Sequence, residues 1–106
     1  MKIEIKPLTV NQCWQGKRFK TPKYKSYITE LTNLLPEMEL LAPPYKLLVT
    51  FGLSSKLSDI DNPLKPFIDI LQKKYNFNDR DIMELNVKKH IVKKGNEFIE
   101  FKIVYI

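Results

Sequence analysis

Tyr45-Lys46-Leu47-Leu48-Val49-Thr50-Phe51-Gly52-Leu53 places Leu47, Val49, Phe51 and Leu53 at every second position. That period puts four apolar side chains on one face of a β-strand, the face a core has to cover. The period then changes. Beyond a polar turn, Ser54–Ser58, and the segment Asp59-Ile60-Asp61, the pair Asn62-Pro63 reads as a cap and first-turn proline opening a helix. Leu64, Phe67, Ile68 and Leu71 recur there as one helical stripe, which is expected to end near Tyr75, before Asn76-Phe77-Asn78-Asp79. Upstream, Thr21-Pro22 gives the same kind of start, followed by Tyr24, Tyr27, Ile28, Leu31, Leu34, Leu35 and Met38 at helical spacing. Pro36 should kink or end that helix early, and Ala42-Pro43-Pro44 is a stiff break.

The ends of the chain complete the pattern. Lys2–Lys6 alternates as a short strand, and residues 11–20 lack periodicity and read as a basic loop. Met83–Lys93 and Glu97–Ile106 read as two closing strands joined by a hairpin turn at Lys94-Gly95-Asn96. The alternation of Phe101, Ile103 and Tyr105 reads most simply as core, the alternative being an exposed C-terminal strand suited to dimerisation. The order β-α-β-α-β-β makes an α+β domain, a mixed or antiparallel sheet with two helices packed on it.

Composition sets the class. A chain of 106 residues with no repeat or Gly/Ser linker is expected to be one domain, 1–106, and 43% hydrophobic with 28% charged residues is globular composition. No apolar run approaches the ~20 residues of a membrane span. Met1-Lys2-Ile3-Glu4-Ile5-Lys6 has no signal-peptide core, so a cytoplasmic location is expected. Cys13 stands alone, which excludes a disulfide or a Cys-ligated zinc site within one chain. The net charge of +6 is unevenly spread. Residues 1–27 carry seven basic side chains and one acid, while residues 28–106 carry eleven of each sign. A polyanionic partner is implied, either nucleic acid or an acidic membrane surface.

Asp59, Asp61, Asp69, Asp79 and Asp81 concentrate in one stretch. In an extended segment Asp59 and Asp61 would project to the same side, able to reach one cation, with Ile60 turned into the core. Asp61, Lys65 and Asp69 lie four residues apart in succession, a row away from the apolar stripe of the second helix. Asp79 follows that helix and can fold back toward the same place. Carboxylates from separate elements suit a hard cation such as Mg2+, which orients water and offsets charge on a phosphate. A neighbouring lysine can stabilise the transition state. The alternative is that these acids are helix caps. Asn62 can already serve as the cap, and no basic residue lies from Leu57 to Leu64.

Asp59-Ile60-Asp61-Asn62-Pro63-Leu64-Lys65, then Asp69, then Phe77-Asn78-Asp79-Arg80-Asp81-Ile82, resembles the signature of the RusA family of Holliday junction resolvases. Asn11–Tyr27, with its Trp, Arg-Phe-Lys-Thr-Pro and Tyr-Lys-x-Tyr, also looks like the opening of phage-type members, so the resemblance spans nearly the whole chain. It implies a RusA-like fold and a homodimeric, Mg2+-dependent endonuclease, with Mn2+ as a substitute metal and no small-molecule cofactor. The implied substrate is branched DNA, a four-way junction resolved by paired incisions in recombination and repair, in a bacterial or phage-encoded protein. The resemblance assigns Asp59, Asp61 and Asp79 to the metal, Lys65 to the essential lysine, and accessory places to Asp69 and Asn62. Asp79 is taken over Asp81 as the third acid. The chain departs from the family in carrying Ser54-Ser55-Lys56-Leu57-Ser58 where well-studied members have an arginine cluster, and its loop between Asp69 and Asp79 looks about one residue shorter.

Lys17, Arg18, Lys20, Lys23 and Lys25 form the natural phosphate-contacting surface, with Trp14 and Phe19 placed to stack on unstacked bases. The competing reading packs Trp14, Tyr24 and Tyr27 against the sheet, and for Tyr27 that reading is favoured. His90, mid-strand, belongs to no triad, and Gly52 lacks the spacing of a phosphate loop. Two other functions stay open: a non-catalytic DNA-binding protein with the same fold, and a nuclease acting on other branched DNA. A membrane binder would have no use for the aspartates.

Overall fold

In chain order the elements are β1 (Lys2–Ile3), β2 (Trp14–Gln15), β3 (Phe19–Lys20), α1 (Pro22–Leu34), β4 (Tyr45–Leu53), α2 (Leu64–Tyr75), β5 (Ile82–Ile91) and β6 (Phe98–Tyr105). Single 3-10 turns occupy Val10–Gln12 and Asp79–Asp81. The structure is a computed structural model that describes residues 1–16 and 19–106. Lys17 and Arg18 lie outside the described residues.

β4 is the centre of the molecule. The main sheet runs β1-β6-β4-β5, with β4 antiparallel to β6 and parallel to β5. Leu47, Val49 and Phe51 are each 2% exposed or less, since both helices lie over that face. From α2 the Phe67 ring meets Phe51 and Phe101 edge-on, with centroids 5.8 and 5.5 Å apart, a geometry that suits aromatic quadrupoles. Tyr24, Tyr27, Leu31 and Leu35 bring α1 and its C-terminal cap into the same core. The result is a two-layer α+β domain with a mixed sheet.

The start of α1 follows the sequence closely. Thr21 is the N-cap, its hydroxyl accepting from Tyr24 N–H at 3.1 Å, and Pro22 opens the first turn. The helix stops at Leu34, before Pro36, leaving Leu34 and Met38 exposed rather than in the stripe. α2 ends at Tyr75, where Asn76 adopts a left-handed conformation (φ 55°) that turns the chain back.

Several expectations need correction. β5 and β6 form no hairpin, because β4 lies between them. The turn at Gly95 (φ 95°) exists, but its chain passes over the end of β4, where Val92 N–H donates to Leu53 O at 2.8 Å. β4 is apolar enough to be buried between two partners, and a central strand excludes direct pairing of its neighbours. β1 pairs only at Lys2–Ile3, although Ile5 continues the alternation into the core. The residue 11–20 segment is not simply loop, since β2 and β3 pair antiparallel beside Gly16 (φ 67°). No described helix is long and apolar enough to cross a membrane.

Candidate functional site

The acidic residues sit around the N-terminal half of α2, on the loop before it and the 3-10 turn after it. Helical spacing brings Lys65 and Asp69 together, with Lys65 Nζ 2.9 Å from Asp69 Oδ1. The left-handed Asn76 then returns the chain so that Asp79 Oδ2 lies 3.6 Å from the same ammonium. The hydrogen bond to Asp69, followed by the charges of Asp69 and Asp79, outweighs partial desolvation and raises the Lys65 pKa above its ordinary value of 10.5. Lys65 is therefore a fixed cation between two carboxylates. Most of it faces solvent, so the pair contributes little to stability and leaves the charge available to a ligand.

Gln72 completes this unit, and the sequence reading missed it. Its Oε1 accepts from Asp79 N–H at 2.8 Å and its Nε2 donates to Asp69 Oδ1 at 3.4 Å. It thus ties the returning turn to the helix. Its place was legible as one turn beyond Asp69 on the same helical row. Asn78 fixes the turn itself, its side chain accepting from Arg80 N–H at 3.0 Å. Asp81 lies elsewhere, close enough to Tyr45 for its charge, second to burial, to raise that phenol's pKa.

Asp59 and Asp61 are arranged differently from the extended geometry. Asn62 N–H donates to Asp59 O, and Leu64 N–H donates to Asp61 O, so the segment is a succession of turns. Ile60 is 44% exposed and does not enter the core. α2 begins at Leu64 with Pro63 in the N-cap position and no side-chain cap bond, so Asn62 is not the cap expected of it. The physical reason is local: Pro63, fixed near helical φ, adopts αR geometry as the chain enters the helix. Among the described residues, neither the Asp59 nor the Asp61 carboxylate forms a hydrogen bond or ion pair, and no three potential ligand side chains converge as on a metal ion.

Three contacts hold the loop that carries Asp59 and Asp61. Lys89, from β5, donates to Ser58 O at 2.8 Å. Ser54 Oγ donates to Glu97 Oε2 at 3.1 Å, while Glu97 Oε1 accepts from Gly95 N–H at 2.7 Å. Its own backbone N–H, with those of Gly95, the Ser54 hydroxyl and the charge of Lys6, holds the Glu97 carboxyl below its ordinary value despite burial. Lys89 and Glu97 carried no signal in the sequence, since both act across the sheet.

The third contact joins the two halves of the charge pattern. Val10 N–H donates to Asn62 O at 2.9 Å, docking the start of the basic, aromatic segment on the acid-bearing turn. Thr21 Oγ1 donates to Gln12 O at 2.6 Å and Thr21 N–H to Cys13 O at 2.9 Å, closing that segment onto α1. Cys13 is buried at its centre, donating to Thr9 O, and burial with the nearby Asp69 charge raises its pKa to about 11. Trp14, 43% exposed, meets the Tyr24 ring edge-on at 5.7 Å. Lys20 lies 5.8 Å over the same ring. Phe19 is 71% exposed, and Lys23 and Lys25 are exposed on α1. Tyr24 and Tyr27 are core residues. The phosphate-contacting role given to Lys17 and Arg18 lies outside the described residues.

No family model and no curated protein sequence matches the chain.

Proposed function

We propose that the chain is a RusA-like, structure-selective DNA endonuclease that resolves four-way junctions as a homodimer in the bacterial or phage-infected cytoplasm. The observation that carries this reading is the docking of the basic, aromatic segment on the turn bearing Asp59 and Asp61. A duplex or branch arm held through phosphates by Lys20, Lys23 and Lys25 is thereby brought beside exposed carboxylates and a fixed ammonium.

The donor set is of the kind Mg2+ takes, hard carboxylate oxygens from separate elements. Asp59, Asp61 and Asp79 are the residues that would hold it, and Mn2+ would serve in its place. When bound, the metal supplies an activated water and offsets charge at the scissile phosphate. Lys65, oriented by Asp69, stabilises negative charge developing on the phosphate oxygens. Gln72 keeps Asp79 against that ammonium, and Lys89 steadies the loop at Ser58. Exposed Trp14 and Phe19 offer aromatic faces to bases unstacked at a branch point.

The test is cleavage of a synthetic four-way junction, a Y-fork and a linear duplex under one set of conditions with Mg2+. Asp61→Asn should abolish junction cleavage and leave junction binding within a few-fold of the parent; full activity in that variant overturns the reading. Preferential cutting of the fork would make the chain a nuclease of other branched DNA. A second reading, a DNA-binding protein without catalysis, is favoured by the lack of three converging ligand side chains among the described residues. Calorimetry with Mg2+ or Mn2+ separates the two, because the binder has no saturable metal site.

A further inference from the structure

The loop between β4 and α2 is pinned at both ends and bare at its tip. Leu53 enters it buried, and Pro63, fully buried, closes it. Bonds from distant segments brace the interval: Ser54 Oγ donates to Glu97, Lys89 Nζ to Ser58 O, and Val10 N–H to Asn62 O. Within the loop, Leu57 N–H donates to Ser55 Oγ at 3.2 Å. At the tip Leu57 is 93% exposed, the highest value for any large apolar side chain among the described residues, and Ile60 follows at 44%. Single exposed leucines are ordinary on protein surfaces. This one differs in its company, since it lies two residues before Asp59, and Ile60 lies between Asp59 and Asp61.

Charge narrows what can meet this tip. Ser54–Asp61 carries one cation, Lys56, against two carboxylates, so the loop by itself has no net attraction for phosphate. Neither carboxylate has a hydrogen bond or ion pair among the described residues. A protein surface closing over Leu57 would draw Asp59 and Asp61 out of water unpaired, which is costly. A DNA branch point makes no such demand. Its bases offer apolar faces to a leucine, while the adjoining phosphates stay in water and can share a cation with the carboxylates. Leucine and isoleucine serve as wedges between base steps, and forcing them into an intact duplex costs the stacking of that step. At a branch point the stack is already interrupted, so the cost falls.

We propose that Leu57, with Ile60, is the wedge that selects branched DNA, entering the opened base step and seating the neighbouring phosphate at Asp59 and Asp61. The basic, aromatic segment docked on the same turn holds an arm through its phosphates. Leu57 adds the contact that a continuous duplex does not offer. This inference rests on the nucleic-acid reading of the chain.

The test uses a four-way junction with 2-aminopurine, a base whose fluorescence rises on unstacking, at the branch point, and a linear duplex with the same label. Binding is measured on the Asp61→Asn protein, so that cleavage does not consume the substrate. Saturation should raise the fluorescence of the junction. Adding Leu57→Ala should abolish the rise and weaken junction binding about tenfold, the loss expected for one leucine removed from a buried contact. Duplex binding and melting temperature should not change, because the position is exposed. The salt dependence of junction binding should keep its slope, since Leu57 releases no counterions. Leu57→Phe should keep the rise. A rise that persists in Leu57→Ala overturns the proposal, as does an equal loss of affinity for junction and duplex. So does a shift in sedimentation on Leu57→Ala, which would put Leu57 in a contact between copies of the chain. Cleavage is measured in parallel with Asp61 intact. A protein that cleaves junctions regardless of Leu57 loses the wedge alone, and one that shows Leu57-dependent unstacking but cleaves nothing loses the nuclease reading alone.

Discussion

At the scale of single residues, two titratable groups sit where their environment sets their behaviour. Cys13 is fully buried with a pKa of about 11, so at pH 8 only about one thiol in a thousand is ionised. An aromatic disulfide reagent should label it at pH 8 no faster than the native chain opens, and at full speed in denaturant. Rapid labelling of the folded protein would show that the segment around Cys13 is not docked. Glu97 has a native pKa below its ordinary 4.5. The sign follows from linkage: its stabilising effect is complete above the ordinary value and is lost as pH falls through the lower native one. Melting temperature should therefore fall less steeply on acidification, from about pH 5 downward, in Glu97→Gln than in the parent. Parallel curves would place Glu97 outside the acid response. Neither behaviour was readable in sequence, because Cys13 and Glu97 take their surroundings from segments distant along the chain. Lys65 and Asp69, by contrast, were legible together, since helical spacing alone makes them neighbours.

At the scale of elements, β4 carries the strictest requirement, and it falls on Gly52. Phe98, opposite it on β6, lays its ring over the glycine on the face away from the helices. A Cβ at position 52 would come within 2.3 Å of Phe98 Cδ1. The ring is pinned in turn by Lys2, whose ammonium lies 4.3 Å from its centroid, and by the edge of His90. Gly52→Ala should cost about 1–3 kcal/mol of unfolding free energy, measured by denaturant titration. A neutral result would mean that Phe98 can leave its place without loss. The element types and most ends of α1, β4 and β6 were legible because period, proline and cap residues are local signals. The turn structure at Asp59–Pro63 was not, because a short polar segment has no period and its two aspartates allow either conformation.

At the scale of the whole molecule, the helix layer leaves one margin of the sheet bare. Among the described residues β5 is paired on one side only, and Met83, Leu85 and Ile91 are 66%, 47% and 45% exposed along it. A long edge strand with apolar side chains is a template for pairing unless something covers it. In the homodimer of the proposed function, this is the surface that would be covered by the second copy. Sedimentation should give a concentration-dependent dimer for the parent chain and a monomer for Leu85→Lys with an unchanged circular dichroism spectrum. A dimer unaffected by that substitution would put the contact elsewhere.

The sequence by itself determined the α+β class, the amphipathic helices, the alternating strand Tyr45–Leu53, and the separation of a basic first quarter from an electrically neutral remainder. All of these depend on residue type and spacing within one segment. The tertiary structure decided the strand order, and with it that β5 and β6 flank β4 instead of pairing. It also decided that Val10 meets Asn62 and that Gln72 binds Asp79. Those outcomes depend on which distant surfaces bury each other, an energy shared by the whole core and carried by no single stretch of chain.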